Sequence, residues 1–217
     1  SSRINSSSKK DSFMKKLLVL LLSLFLLSSP SVFADDISDF EIEGMSIGDS
    51  LLDYMTKEAI LAEIETNKND YYYLNEPNKY SEIYTNKNLQ TYESIAFIVK
   101  NTPTSKYISN KNEKYIIVSI RGLIDYTEDF DGCIEKRDEI VEDLSKVFPN
   151  ARKTEQNFEH SANGTIIDAI YLKFDSGGQS EVSCMDYEET YRIKMNWMDN
   201  LSVSIDPEEI ISWLKDY

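Results

Sequence analysis

The sequence has only one histidine and two cysteines among 217 residues, and it contains no G-x-S-x-G or C-x-x-C motif. The first motif marks the nucleophile of many hydrolases, and the second marks thiol redox centres and many zinc sites. His160 lies directly beside Ser161, whereas the members of a catalytic triad meet through the fold. We therefore predict no catalytic residue and interpret His160 as a solvated loop residue.

The sequence also lacks an apolar run long enough to span a membrane. The longest run, residues 17–27, is broken by a single serine, and a spanning helix needs about 20 apolar residues. Two lysines and Met14 precede the run, and Pro30 and the small residue Ala34 follow it, which together make the three parts of a secretory signal peptide. We predict cleavage after Ala34, with an uncleaved membrane anchor as the alternative, and no transmembrane segment in the mature chain.

Residues 1–13 precede Met14 and are polar, so we expect an upstream extension or gene-prediction artefact that takes no part in the fold. We expect residues 35–217 to form a single domain, with two very small domains as the alternative, and this length is enough to bury a hydrophobic core. Residues 1–34 carry five of the 23 basic and one of the 38 acidic residues, so the mature chain has a formal net charge of −19. Such a charge repels nucleic acids and anionic membrane surfaces. The acidity either serves solubility or attracts a basic partner or a cation.

The two cysteines, Cys133 and Cys184, both lie in the mature chain. An isolated pair in an oxidising compartment usually forms a disulfide, and we predict that bond. The chain-entropy estimate for a loop of about 52 residues is ~4 kcal/mol of stabilisation. A redox pair or a metal pair is the alternative, although no C-x-x-C spacing supports either.

Hydrophobic spacing predicts the fold class. Apolar residues recur at intervals of three and four along residues 131–148, which predicts a long central helix. Capping residues predict a pair of short helices, or one bent helix, within about 49–66, and a C-terminal helix after Asp206 and Pro207. Alternating and β-branched runs predict strands at 94–100, 115–124, 165–174, 180–187 and 201–205, whereas 191–197 is ambiguous. Short connections favour an α+β fold with an antiparallel sheet and helices packed on one side.

The densest acidic cluster reads D-x-x-E-D-x-D-G over residues 125–132 and partly resembles a calcium-binding loop. With the glycine at the turn position, Asp129 and Asp131 fall on ligand positions, but a threonine begins the loop and an aspartate ends it. Glu128, Asp129 and Asp131 also lie at the start of the long helix. Carboxylates are favourable there because they interact with the positive end of the helix dipole. We expect helix capping, and a cation site at Glu128 to Asp131 is the alternative.

Three segments carry a resemblance to a known family: ISDFEIEGMSIGDSLLDYM at 37–55, CIEKRDEIV at 133–141 and DNLSVSI at 199–205. They resemble a family of small exported proteins of unknown function from marine alphaproteobacteria, over nearly all of the mature chain. The resemblance implies periplasmic export and one α+β domain, and it supplies no activity. More remotely, the segment from Gly44 to Ser46, together with Gly48 and Asp49, resembles the start of SmpA/OmlA-type envelope modules. Members of that family are lipidated, whereas no cysteine comes directly after the apolar run in this sequence.

The sequence thus predicts a periplasmic or secreted protein of a Gram-negative bacterium with no cofactor. We expect a non-enzymatic interaction or envelope-associated role with a protein partner in the periplasm and no nucleic-acid partner. An uncharacterised enzyme or a cation-dependent binding protein that uses the acidic cluster is the alternative.

Overall fold

The computed structural model describes residues 37, 40–69, 74, 79–101, 114–160 and 164–215. All of them belong to the unit Asp35–Tyr217. The predicted signal peptide, its cleavage site at Ala34 and the extension 1–13 lie outside the described residues. No helix within those ranges is both long enough and apolar enough to cross a membrane.

The described residues form an α+β fold, as predicted. A small hairpin, β1 (Glu41–Ile42) and β2 (Met45–Ser46), and a 3-10 turn (Leu51–Asp53) precede the first helix, α1 (Lys57–Asn67). The later helices are α2 (Phe130–Val147), α3 (Glu189–Met195) and α4 (Glu208–Lys215). Seven longer strands complete the fold: β3 (Tyr80–Thr85), β4 (Ser94–Lys100), β5 (Ile117–Asp125), β6 (Arg152–Glu159), β7 (Ile166–Lys173), β8 (Gln179–Asp186) and β9 (Asn200–Asp206).

The seven longer strands form one sheet in the order β3-β4-β5-β9-β8-β7-β6. Every neighbouring pair is antiparallel. The last strand in the chain, β9, is inserted between β5 and β8, and all seven of its residues are buried. β5 is apolar on both faces, as is typical of a strand inside a sheet, and it lies third from the β3 edge.

Helix α2 packs across β7, β8 and β9. Its inward stripe holds Cys133, Val141 and Leu144, and these join the main core. The charge in that stripe, Arg137, is buried and forms ion pairs with Asp138 at 2.7 Å and with Asp168 on β7. A buried guanidinium needs such partners because the loss of its hydration is costly.

The predicted disulfide between Cys133 and Cys184 is present, with Cα atoms 6.0 Å apart. Cys133 lies in the first turn of α2 and Cys184 in the middle of β8. Both residues are almost completely buried. The bond therefore joins the helix to the strand beneath it.

The prediction that the helices pack on one side of the sheet was wrong for α4. Side chains of α1 and α2 join the main core with Ile83 of β3. In α4, Ile210 and Trp213 form a second cluster with Tyr80 and Val118. Tyr80 points to the opposite face from Ile83 because residues three apart on a strand face opposite sides. The strands β3 to β5 are apolar on both faces, so both faces need a covering helix.

Candidate interaction site

The connection between β8 and β9 folds into the short helix α3 and holds an unusual amount of exposed apolar surface. Eleven large apolar side chains are exposed among the described residues, and four of them fall within six positions of this connection. They are Ile193 (67 % exposed), Met195, Met198 and Trp197. We call these four residues, together with Tyr187 and Tyr191, the aromatic patch.

Local capping explains why this polar and aromatic stretch forms a helix at all. The Glu188 side chain accepts a hydrogen bond from the Tyr191 N–H at 2.9 Å. Backbone N–H groups of Thr190 and Tyr191 lower the pKa of the Glu188 carboxyl, so the cap stays ionised. At the other end Asn196 adopts a left-handed conformation with φ of 53°, and the Trp197 N–H donates to the Arg192 carbonyl at 3.1 Å. This is a Schellman-type termination.

Trp197 is held between two tyrosines. Its ring centroid lies 5.1 Å from that of Tyr187 at an interplanar angle of 56°, and 5.4 Å from that of Tyr191 at 80°. Tilted and edge-on pairs at this separation are favourable for aromatic quadrupoles. The indole is therefore fixed in orientation although more than a third of Trp197 is exposed.

A buried carboxylate anchors the aromatic patch to the sheet. Asp199 accepts a hydrogen bond from the Tyr187 N–H at 2.8 Å, and its other oxygen lies 3.7 Å from Nε of Arg192. Its backbone carbonyl accepts from the Tyr126 N–H at 2.8 Å. Burial raises the pKa of the Asp186 carboxyl, and so does the nearby Asp199. Asp199 therefore links the two ends of the connection between β8 and β9 and joins them to the end of β5.

The surroundings of the aromatic patch are acidic. Residues 186–199 contain four carboxylates and two cations, Arg192 and Lys194. Arg192 is already engaged with Glu189 at 2.7 Å. Glu128, at the start of the neighbouring helix, lies near enough to help raise the pKa of Arg192. The apolar centre is therefore bordered by net negative charge.

The acidic cluster predicted from the sequence has a structural role at its centre. Asp129 is the N-cap of α2 and accepts from the Gly132 N–H at 3.1 Å, and Asp131 lies in the first turn. Glu128 has a left-handed backbone with φ of 66°. In the part of the chain that the structure describes, no three His, Cys, Asp or Glu side chains come together as a metal-binding group.

The single histidine lies at the start of a hairpin connection. The His160 N–H donates to the Thr165 carbonyl at 2.7 Å, and the His160 side chain is exposed. Its sequence neighbour Ser161 lies outside the described residues. Thr165 is buried, so the hydrogen bond fixes the backbone at the point where β6 turns back into β7.

A second polar feature lies on the face of the sheet opposite α2. Burial opposes the charge of the Arg121 guanidinium, but the negative charges of Glu181, Asp206 and Glu82 outweigh it and raise the pKa of Arg121 above its usual range. The Asp206 carboxylate also accepts from the Ser119 hydroxyl at 2.5 Å. The Arg121 guanidinium thus offsets part of the negative charge of these carboxylates within the sheet, and we assign the group to internal packing.

Sequence reasoning missed the aromatic patch. Tyr191, Ile193, Met195 and Trp197 alternate with polar residues as in a strand, whereas the segment forms a helix, and residues 191–197 were ambiguous from the sequence. The available signal was composition, because two Tyr, two Met and one Trp fall within twelve residues. Tyr, Trp and Met are enriched at protein interfaces.

The sequence matches no family model, and no curated protein or solved structure matches it. The function is therefore inferred from the geometry of the chain itself. Of the regions described above, only the aromatic patch combines exposure, apolar area and a fixed conformation.

Proposed function

We propose that this chain is an exported, non-enzymatic interaction protein that binds a partner protein through the aromatic patch. The observation that carries the proposal is the exposure of Ile193, Met195, Trp197 and Met198 on a connection that Asp199 and two caps hold in one conformation. Concentrated apolar surface of this kind is costly in water and typically marks a contact site.

The chemistry of the patch indicates what the partner surface should look like. Trp and Tyr act as anchors because they bury a large area and lose little side-chain entropy. The acidic border formed by Glu188, Glu189 and Glu128 would pair with basic residues around an apolar centre on the partner. Complementary charge mainly speeds association and excludes wrong partners.

Export is the second half of the proposal. It is supported by the signal-peptide pattern that ends at Ala34 and by the disulfide between Cys133 and Cys184, since disulfides persist in oxidising compartments. The resemblance to small exported proteins and to envelope modules agrees with an envelope-associated role.

A photo-cross-linking amino acid at Ile193, incorporated in the host cell, tests the proposal. We expect one reproducible protein adduct from position 193. A probe at Leu61 on α1, which is 46 % exposed and lies outside the patch, is the matched control and should give no such adduct. Trp197→Ala should lower the yield by roughly tenfold or more, because interface tryptophans contribute heavily to binding. The same adduct from both positions, or none from 193 in exported protein, would contradict the proposal.

A further inference from the structure

The edge strand β6 is almost entirely exposed. Seven of its eight residues are exposed, and the whole strand pairs with β7 on one side only. An edge strand of this length can template a further strand, and its charged side chains restrict which strand can pair with it. The end of β6 at Glu159, and Glu188 at the start of α3, both approach Gly164, but the unpaired backbone of β6 points to a different kind of contact from that of the aromatic patch.

The backbone groups that face outward can be identified from the hydrogen-bond pattern. The His160 N–H donates to the Thr165 carbonyl, and this pair continues the β6–β7 register. Hydrogen bonds in an antiparallel ladder join every second pair of opposite residues. The even-numbered residues of β6 therefore bond to β7, and the N–H and C=O groups of Lys153, Glu155, Asn157 and Glu159 point away from it.

The opposite edge of the sheet is built in another way. There the Tyr84 N–H donates to the Glu63 carboxylate at 3.2 Å, and the Asn67 side chain donates to the Glu82 carbonyl at 3.3 Å. Glu63 and Asn67 belong to α1, so a helix of the same chain satisfies outward groups of β3. In the described part of the chain, no backbone group from outside the sheet bonds to the outward groups of Lys153, Glu155 or Asn157.

We propose that β6 pairs antiparallel with β6 of a second copy of this chain, with the twofold axis at Gln156. In this register the outward groups of Lys153 meet those of Glu159 of the second copy, and the groups of Glu155 meet those of Asn157. The arrangement repeats by symmetry, so each dimer contains two opposed Lys–Glu pairs. Opposite charges directly across an antiparallel pair stabilise it.

The charge pattern selects this register over its neighbours. The outward residues are all odd-numbered, so the strands can shift only in steps that keep odd residues opposite one another. One step in one direction places Glu155 opposite Glu155 of the second copy. One step in the other direction places Glu155 opposite Glu159. Both steps set carboxylates against each other, which is destabilising.

The pairing should stop at two copies. A twofold contact uses the same surface on both chains and closes on itself. The remaining edge of each copy, β3, has Glu82 and Tyr84 bonded to α1. On the helix side, a groove of about 430 Å³ lies between α2 and β6 and is lined by Glu142, Lys153 and Glu155 among others.

Charge-swap variants and the molar mass of the whole oxidised protein test the proposal. Light scattering and sedimentation over a range of concentrations should show a reversible dimer for the wild type. Lys153→Glu and Glu159→Lys should each weaken the dimer about tenfold, because two attractive pairs become repulsive. The double variant Lys153→Glu/Glu159→Lys restores both pairs and should return the dissociation constant to within about threefold of the wild type.

Two controls keep the result specific. Glu159→Lys leaves the ion pair between Lys153 and Glu155, at 2.9 Å, untouched, so its effect does not come from that pair. Lys87→Glu changes the net charge as Lys153→Glu does, on an exposed turn at the other end of the sheet, and should leave the dimer unchanged. A wild type that stays monomeric at millimolar concentration, or a double variant that does not recover, would overturn the proposal.

Discussion

The two ends of the seven-stranded sheet are covered in different ways. At the β3 end, α1 covers the edge and one face, and α4 covers the other face through Ile210 and Trp213. At the β6 end, α2 packs on β7, β8 and β9, a groove lies between α2 and β6, and β6 itself is exposed. Both proposed contact surfaces belong to this open half, since α3 also follows β8. The chain therefore satisfies backbone groups at one edge of its sheet through α1, whereas β6 at the other edge pairs with β7 alone.

The largest effect on stability should come from removing the disulfide that joins α2 to β8. Cys133→Ser with Cys184→Ser should lower the free energy of unfolding by about 4 kcal/mol, because the bond closes a long loop in the unfolded chain. The two cysteines are 51 residues apart. Urea unfolding of the variant measures the loss, and wild type in a reducing agent should match it. A loss below about 1 kcal/mol would show that the bond contributes little to holding α2 on β8.

A smaller effect is expected at the closed edge. Asn67→Ala removes the hydrogen bond from α1 to the Glu82 carbonyl and should cost about 1–2 kcal/mol, because Asn67 is buried. Asn157→Ala is the matched control on the open edge. It removes a bond to Asp168 at 2.7 Å from an exposed position and should cost less, by the same unfolding measurement. Equal costs would remove the distinction between the two edges.

The sequence was most informative about the elements that are stabilised by the burial of their own apolar side chains. The spacing of Ile140, Val141 and Leu144 predicted a helix at 131–148, and α2 spans Phe130–Val147. The pairing of Cys133 with Cys184 was predicted because they are the only two cysteines of the sequence and a signal-peptide pattern precedes them. The alternating and β-branched run at 115–124 predicted β5, which spans Ile117–Asp125.

The sequence could not predict elements whose conformation or position depends on contacts with other parts of the chain. Strand β6, Arg152–Glu159, has almost no apolar residue and was not predicted, because its strand conformation is imposed by backbone bonding to β7. The position of α4 on the second face depends on which strands lie beneath it, which spacing alone does not encode. Asp129 was expected to cap α2 and does so, whereas the aromatic patch depends on the buried anchor Asp199.

Amide hydrogen exchange, measured residue by residue with NMR, decides whether one edge of the sheet is closed by the chain and the other is open. In dilute solution the Tyr84 amide, which is bonded to Glu63, should exchange at least about tenfold more slowly than those of Glu155 and Asn157, since exchange requires the bond to open. Raising the protein concentration should slow Glu155 and Asn157 and leave Tyr84 unchanged. Protection of Glu155 and Asn157 equal to that of Tyr84 in dilute solution would show that the chain covers both edges itself and would contradict an open edge at β6.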